Sequence, residues 1–81
     1  MNKDTLHQEI FDFAHSYFFD EHIVISKVKY NENNIIQFSN TRYAHQFLNE
    51  LTSTKHRFRN EEKFKDYLFN ITENVVNFSR K

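Results

Sequence analysis

Five histidines at positions 7, 15, 22, 45 and 56 are the side chains best placed by type to bind a metal or move protons near neutral pH. Their spacing does not assemble a site. His7 and His15 stand eight residues apart, about 80° out of line on a helix at 3.6 residues per turn. Neither H-x-x-x-H nor H-E-x-x-H occurs. Asp12 and His15 meet at i, i+3, and Asp20 and His22 lie near a helix–strand junction. A site from Asp12, His15 and His22 would require the fold to gather separate elements. The ordinary reading is a solvated histidine, or a half-buried one on the Phe11 side.

Other chemistries lack their residues. With no cysteine there is no thiol nucleophile, disulfide or cysteine-ligated metal. With no glycine there is no glycine-rich phosphate loop. Ser39, Ser53 and Thr54 read as turn and cap residues. The sequence therefore predicts a protein that is not an enzyme, with no catalytic, cofactor or metal site and no small-molecule substrate.

The most basic stretch is TKHRFRN, residues 54–60. If extended, it projects Lys55, Arg57 and Arg59 to one side and His56 and Phe58 to the other. Lys63 and Lys65 prolong the patch, and Arg42 is a possible addition. Phosphate contact by the cations and stacking of a base on Phe58 would make this a nucleic-acid-binding arm. The competing reading is a wet connector between helices, with Phe58 plugging the core. That reading is the stronger one, because eleven basic residues balance eleven acidic ones and no helix-turn-helix pattern is present. Charge is also segregated. Asp4, Glu9, Asp12, Asp20 and Glu21 make the first quarter acidic, which would suit head-to-tail or antiparallel self-association.

These residues need elements to position them. Residues 5–19 have a helical stripe of Leu6, Ile10, Phe13, Ala14 and Tyr17, capped by Asp4 or Thr5. Residues 22–30 and 34–39 read as a β-hairpin rich in β-branched residues. A three-residue turn at 31–33 is preferred to a two-residue one. It pairs Val28 with Ile36 and Ser26 with Phe38, and places Asn33 or Asn34 in the left-handed region. Residues 41–52 form a second helix, capped by Asn40 or Thr41, with Tyr43, Ala44, Phe47, Leu48 and Leu51 on one face. Residues 60–79 are predicted as a third and longest helix. Asn60 caps it, and Phe64, Tyr67, Leu68, Ile71, Val75 and Phe78 form its main stripe.

The expected fold is thus one α+β domain over 1–81, in the order α-β-β-α-α, with a two-stranded antiparallel hairpin packed against three helices. An 81-residue chain buries only about 60% of its unfolded surface. Ten phenylalanines and four tyrosines look like more than so small a core needs. Glycine and proline are both absent, so Asn, Asp, Ser and Thr are expected to make every turn.

Apolar residues outside the core stripes suggest a protein interface: Phe11, His15, Phe18 and Phe19 on the first helix, Phe69 and Val76 on the third. The partner would be another protein, a second copy in a homodimer, or both. The role predicted is a small interaction module, such as a regulator or inhibitor of a larger protein, with nucleic-acid binding as the alternative. The N-terminus has no signal-peptide pattern and no apolar run approaches a membrane span, so a cytoplasmic location is expected. The richness in Asn, Lys, Phe, Ile and Tyr suits a low-GC bacterium, or one of its phages or plasmids.

Overall fold

A computed structural model of the chain describes residues 5–31, 33–53, 57–59 and 61–81. The elements are α1 (Thr5–Tyr17), β1 (Ile25–Tyr30), β2 (Asn33–Phe38), α2 (Thr41–Thr52), α3 (Glu61–Lys65), β3 (Tyr67–Thr72) and β4 (Val75–Arg80). The fold is α+β, with three helices packed against an antiparallel sheet. The sheet has four strands in the order β1-β2-β4-β3, so β2 and β4 are central.

The main correction concerns residues 60–79. Only Glu61–Lys65 are helical, and 67–80 form a second hairpin. Tyr67, Phe69 and Ile71 alternate with exposed Leu68, Asn70 and Thr72, and β4 alternates in the same way. This period of two fits a half-buried sheet. The apparent helical stripe drew its members from both faces of the two strands. The reversal is tight, since Thr72 pairs with Val75. Glu73 supplies the left-handed position that glycine usually fills, at φ 54°. A glutamate there gives little local signal of a turn, and so the helix reading ran through it.

The first hairpin is present, but its register differs from the expected one. Tyr30 pairs with Asn33, and Val28 with Ile35, so the connection is two residues long. The left-handed residue is Asn31, at φ 57°, rather than Asn33 or Asn34. The shift turns β1 over. Ile25, Lys27 and Lys29 now stand beside Phe38, Ile36 and Asn34, while Ser26, Val28 and Tyr30 face the other way. The buried side of β1 tolerates lysines because β1 is an edge strand. Lys27 lies over the Phe11 ring, 5.8 Å from its centroid, and its ammonium donates to the Gln8 side chain. The aliphatic stem is covered and the charge stays wet.

The helices behave more nearly as expected. α1 ends at Tyr17, and Phe18–Asp20 form turns beyond it. The suggested cap Asp4 falls outside the described residues, as does Asn60. In α2, the Asn40 side chain accepts the Arg42 backbone N–H at 2.8 Å, an N-cap. Ala44, Phe47 and Leu51 are buried on its inner face.

All three helices lie on one side of the sheet. The core between the layers is built from Ile10 and Ala14 of α1, Ile36 and Phe38 of β2, Phe47 and Leu51 of α2, and Val76 and Phe78 of β4. Aromatic rings run through it in sequence. Phe18 meets Phe38 at 5.8 Å, Phe38 meets Phe47 at 5.4 Å, and Phe47 meets Phe13 at 5.5 Å. Phe58 stacks on Phe64 at 4.4 Å, and Phe64 contacts Phe69 at 4.9 Å. Of the ten phenylalanines, only Phe19 is strongly exposed, at 82%. The core absorbs more of the aromatic excess than composition suggested.

Phe47 joins α2 to α1 and β2 at once. Replacing it with alanine is expected to cost about 3–5 kcal/mol, read as a lowered urea midpoint at unchanged slope.

Candidate protein interface

The residues proposed from sequence for an interface do not form one patch. Phe18 is 4% exposed and Val76 is fully buried. Both are core residues and are removed from the candidate surface. Phe69 is half-buried against Phe64 and Phe78. Phe11 is half-buried too, edge-on to exposed His15 at 4.6 Å and beneath Lys27. Phe19 alone projects freely, in the connection between α1 and β1.

The basic segment has a local explanation. Lys55 and His56 lie outside the described residues. Phe58 is buried, packed on Phe64 and edge-on to Phe13, so its face is not offered to a base. The Arg59 backbone N–H donates to Glu9 at 2.6 Å. Arg57 lies 3.9 Å from Glu61. Two open grooves of about 440 and 350 Å³ run along α1; the first is lined by Glu9, Asp12 and Arg57 among others, the second by Glu9, Asp12 and Arg59. The acidic and basic segments of the sequence thus face one another within a single molecule. That arrangement offsets the charge asymmetry seen along the chain and sets carboxylates beside the cations a phosphate would need. Lys63 and Lys65 sit in the short α3 and are exposed.

His7, read from sequence as solvated, is buried at 3% exposure. Its Nε2 donates to the Ile35 carbonyl at 3.1 Å, and its ring meets Phe78 edge-on at 5.3 Å. It ties α1 to β2 and β4, a structural role that only the sheet order reveals. Among the described residues, no group of three or more His, Asp or Glu side chains could hold a metal ion.

The feature missed from sequence is the second face of the sheet. The register assembles it row by row. Val28, Ile35, Asn77 and Asn70 form one row across all four strands, and Ser26, Gln37, Val75 and Thr72 form the next. Tyr30 and Asn33 stand at one end, Ser79 and Leu68 toward the other side. None of these twelve residues is charged, although charged residues make up 27% of the chain. Every charged strand residue, namely Lys27, Lys29 and Arg80, sits on the helix-covered side. Tyr30 is 65% exposed, and Leu68 and Val28 are exposed as well. No described helix covers this face. Strand alternation was the only available signal, and it required the correct register and the second hairpin.

No family model, curated protein or solved structure matches the chain. No helix among the described residues is long and apolar enough to cross a membrane.

Phe19 touches too little of the protein to matter for folding. Replacing it with aspartate is expected to change stability by less than about 0.5 kcal/mol, with an unchanged far-ultraviolet dichroism spectrum and unfolding midpoint.

Proposed function

We propose that this chain is a protein-interaction module that docks a partner protein through the open face of its sheet. One observation carries the reading: the exposed face of the sheet is uncharged in a chain of which 27% of the residues are charged. A solvated sheet face ordinarily carries lysines, glutamates and threonines, since water is its only neighbour. The core of a protein interface is instead depleted of charge and enriched in tyrosine. Val28, Ile35, Val75 and Leu68 supply apolar area, Tyr30 supplies an aromatic anchor, and Asn33, Gln37, Asn70 and Asn77 supply amides that can pair both as donors and as acceptors.

Binding without catalysis is the role we infer, as for a small regulator or inhibitor of a larger protein. A cysteine-free chain suits the cytoplasm, and the Asn- and Lys-rich composition suits a low-GC bacterial or phage source. A nucleic-acid role for Arg57, Arg59, Lys63 and Lys65 is the competing reading. It is less favoured because Glu9 and Asp12 share the same surface.

The test compares variants in a pull-down from nuclease-treated lysate of the source organism. A stoichiometric protein captured by the parent chain should be lost with the double variant Val28→Asp/Tyr30→Asp and retained with Phe19→Asp. Retention by the double variant would overturn the open-face assignment. Loss of the captured protein on nuclease treatment would favour the nucleic-acid reading.

A further inference from the structure

The two edges of the sheet differ in how they are protected. An edge strand exposes unpaired backbone donors and acceptors and invites another strand. Proteins block this with charges, proline, bulges or covering elements. β1 carries two lysines in six residues, and Lys27 is held across α1 by Gln8 and Phe11. β3, with the sequence YLFNIT, has no charge, no proline and no break in its ladder to β4. No strand pairs with its outer edge among the described residues. Leu68 is 52% exposed, and Phe69 and Ile71 are only half-covered although they point to the helix side.

We propose that β3 pairs antiparallel with β3 of a second copy of this chain. The two sheets then join into one of eight strands, about a two-fold axis perpendicular to the sheet. The occupant is a second copy because the strand suits itself. In antiparallel pairing, opposed residues lie on the same face. A register centred on Asn70 therefore sets Phe69 opposite Ile71 of the second copy, and Ile71 opposite its Phe69, on the helix side. Leu68 and Thr72 oppose each other on the open side, and Asn70 meets its own copy on the axis. No like charges meet within the paired strands. Aromatic against β-branched is a favourable cross-strand pairing, and it completes the cover of both half-buried residues.

The pairing also enlarges the open face. Four strands spaced about 4.8 Å apart and six residues long make a face of about 20 by 20 Å. That is small against the roughly 800 Å² per partner of a standard interface. The joined sheet doubles it, with both helical layers on the opposite side. The proposal goes beyond the docking function and does not rest on it, since self-association is measured with the purified chain alone.

Sedimentation or light scattering over micromolar to millimolar concentration should give twice the 10.0 kDa chain mass. Asn70→Lys sets like charges across the axis at an exposed position. It should weaken association at least tenfold, whereas Val28→Lys on the other edge strand should leave it unchanged. Because the chain has no cysteine, Asn70→Cys gives a second readout that does not depend on the lysine variant. Cβ atoms opposed across an antiparallel pair are about 4.5–5.5 Å apart, close to disulfide geometry. Mild oxidation should cross-link Asn70→Cys into a covalent dimer much faster than Val28→Cys. A parent chain that stays monomeric at millimolar concentration would overturn the proposal. So would a dimer that survives Asn70→Lys, a dimer dissociated by Val28→Lys, or equal cross-linking at the two positions.

Discussion

The structure depends on the burial of one face of its two central strands. β2 presents Ile36 and Phe38, and β4 presents Val76 and Phe78, all nearly or wholly removed from water. Ile10 of α1 and Phe47 of α2 close over them. Burying such a side chain is worth about 1.5–3 kcal/mol, and these side chains are contributed by four separate elements. Neither hairpin is expected to be stable alone. Each hairpin contributes one central strand, so the sheet and its helical cover form together. The register of both hairpins follows from this requirement, because a slip of one residue would turn these side chains toward water.

The same requirement sorts the charges. With the helices on one side, the lysines of β1 are accommodated only where their stems lie across the edge of the helical layer. The acidic stripe of α1 lies on the outer surface of that layer, beside Arg57 and Arg59. This places opposite charges together at the surface, where such pairs contribute little individually. Their net effect is to neutralise that end of the molecule. The opposite side of the sheet is left neutral, amide-rich and partly apolar. The functional reading rests on this division between a charged helical layer and an uncharged sheet face.

Without glycine, the tight reversals depend on residues that accept positive φ at some cost. Asn31 does so in the usual way, since asparagine tolerates the left-handed region better than most residues. Glu73 is less usual. A non-glycine residue there is held by its surroundings. Asn74 is fixed on both sides, its carbonyl accepting the Phe38 N–H at 2.9 Å and its side-chain amide donating to the Phe38 carbonyl. The second turn is thereby anchored to the end of β2, the strand that leads into α2.

The sequence by itself determined the α+β class, α1 and α2 with most of their apolar stripes, a cap at Asn40 or Thr41, and the existence of the first hairpin. These are local properties. Periodicity, capping and β-branching act between residues a few positions apart, and they survive any arrangement of the rest. Tertiary structure decided the other features. It made 67–80 a hairpin, because alternation satisfied by pairing with β2 outweighs a helical stripe that has nothing to pack against. It buried His7, which α1 sets against Phe78 of β4, Phe18, which packs on Phe38 of β2 and Phe47 of α2, and Val76, which lies on the covered face of the central strand β4. It exposed the neutral face, because which side of a strand is wet depends on where the helices land. A face assembled from four strands has no counterpart in any short stretch of sequence, since its rows join residues as far apart as Val28 and Asn77.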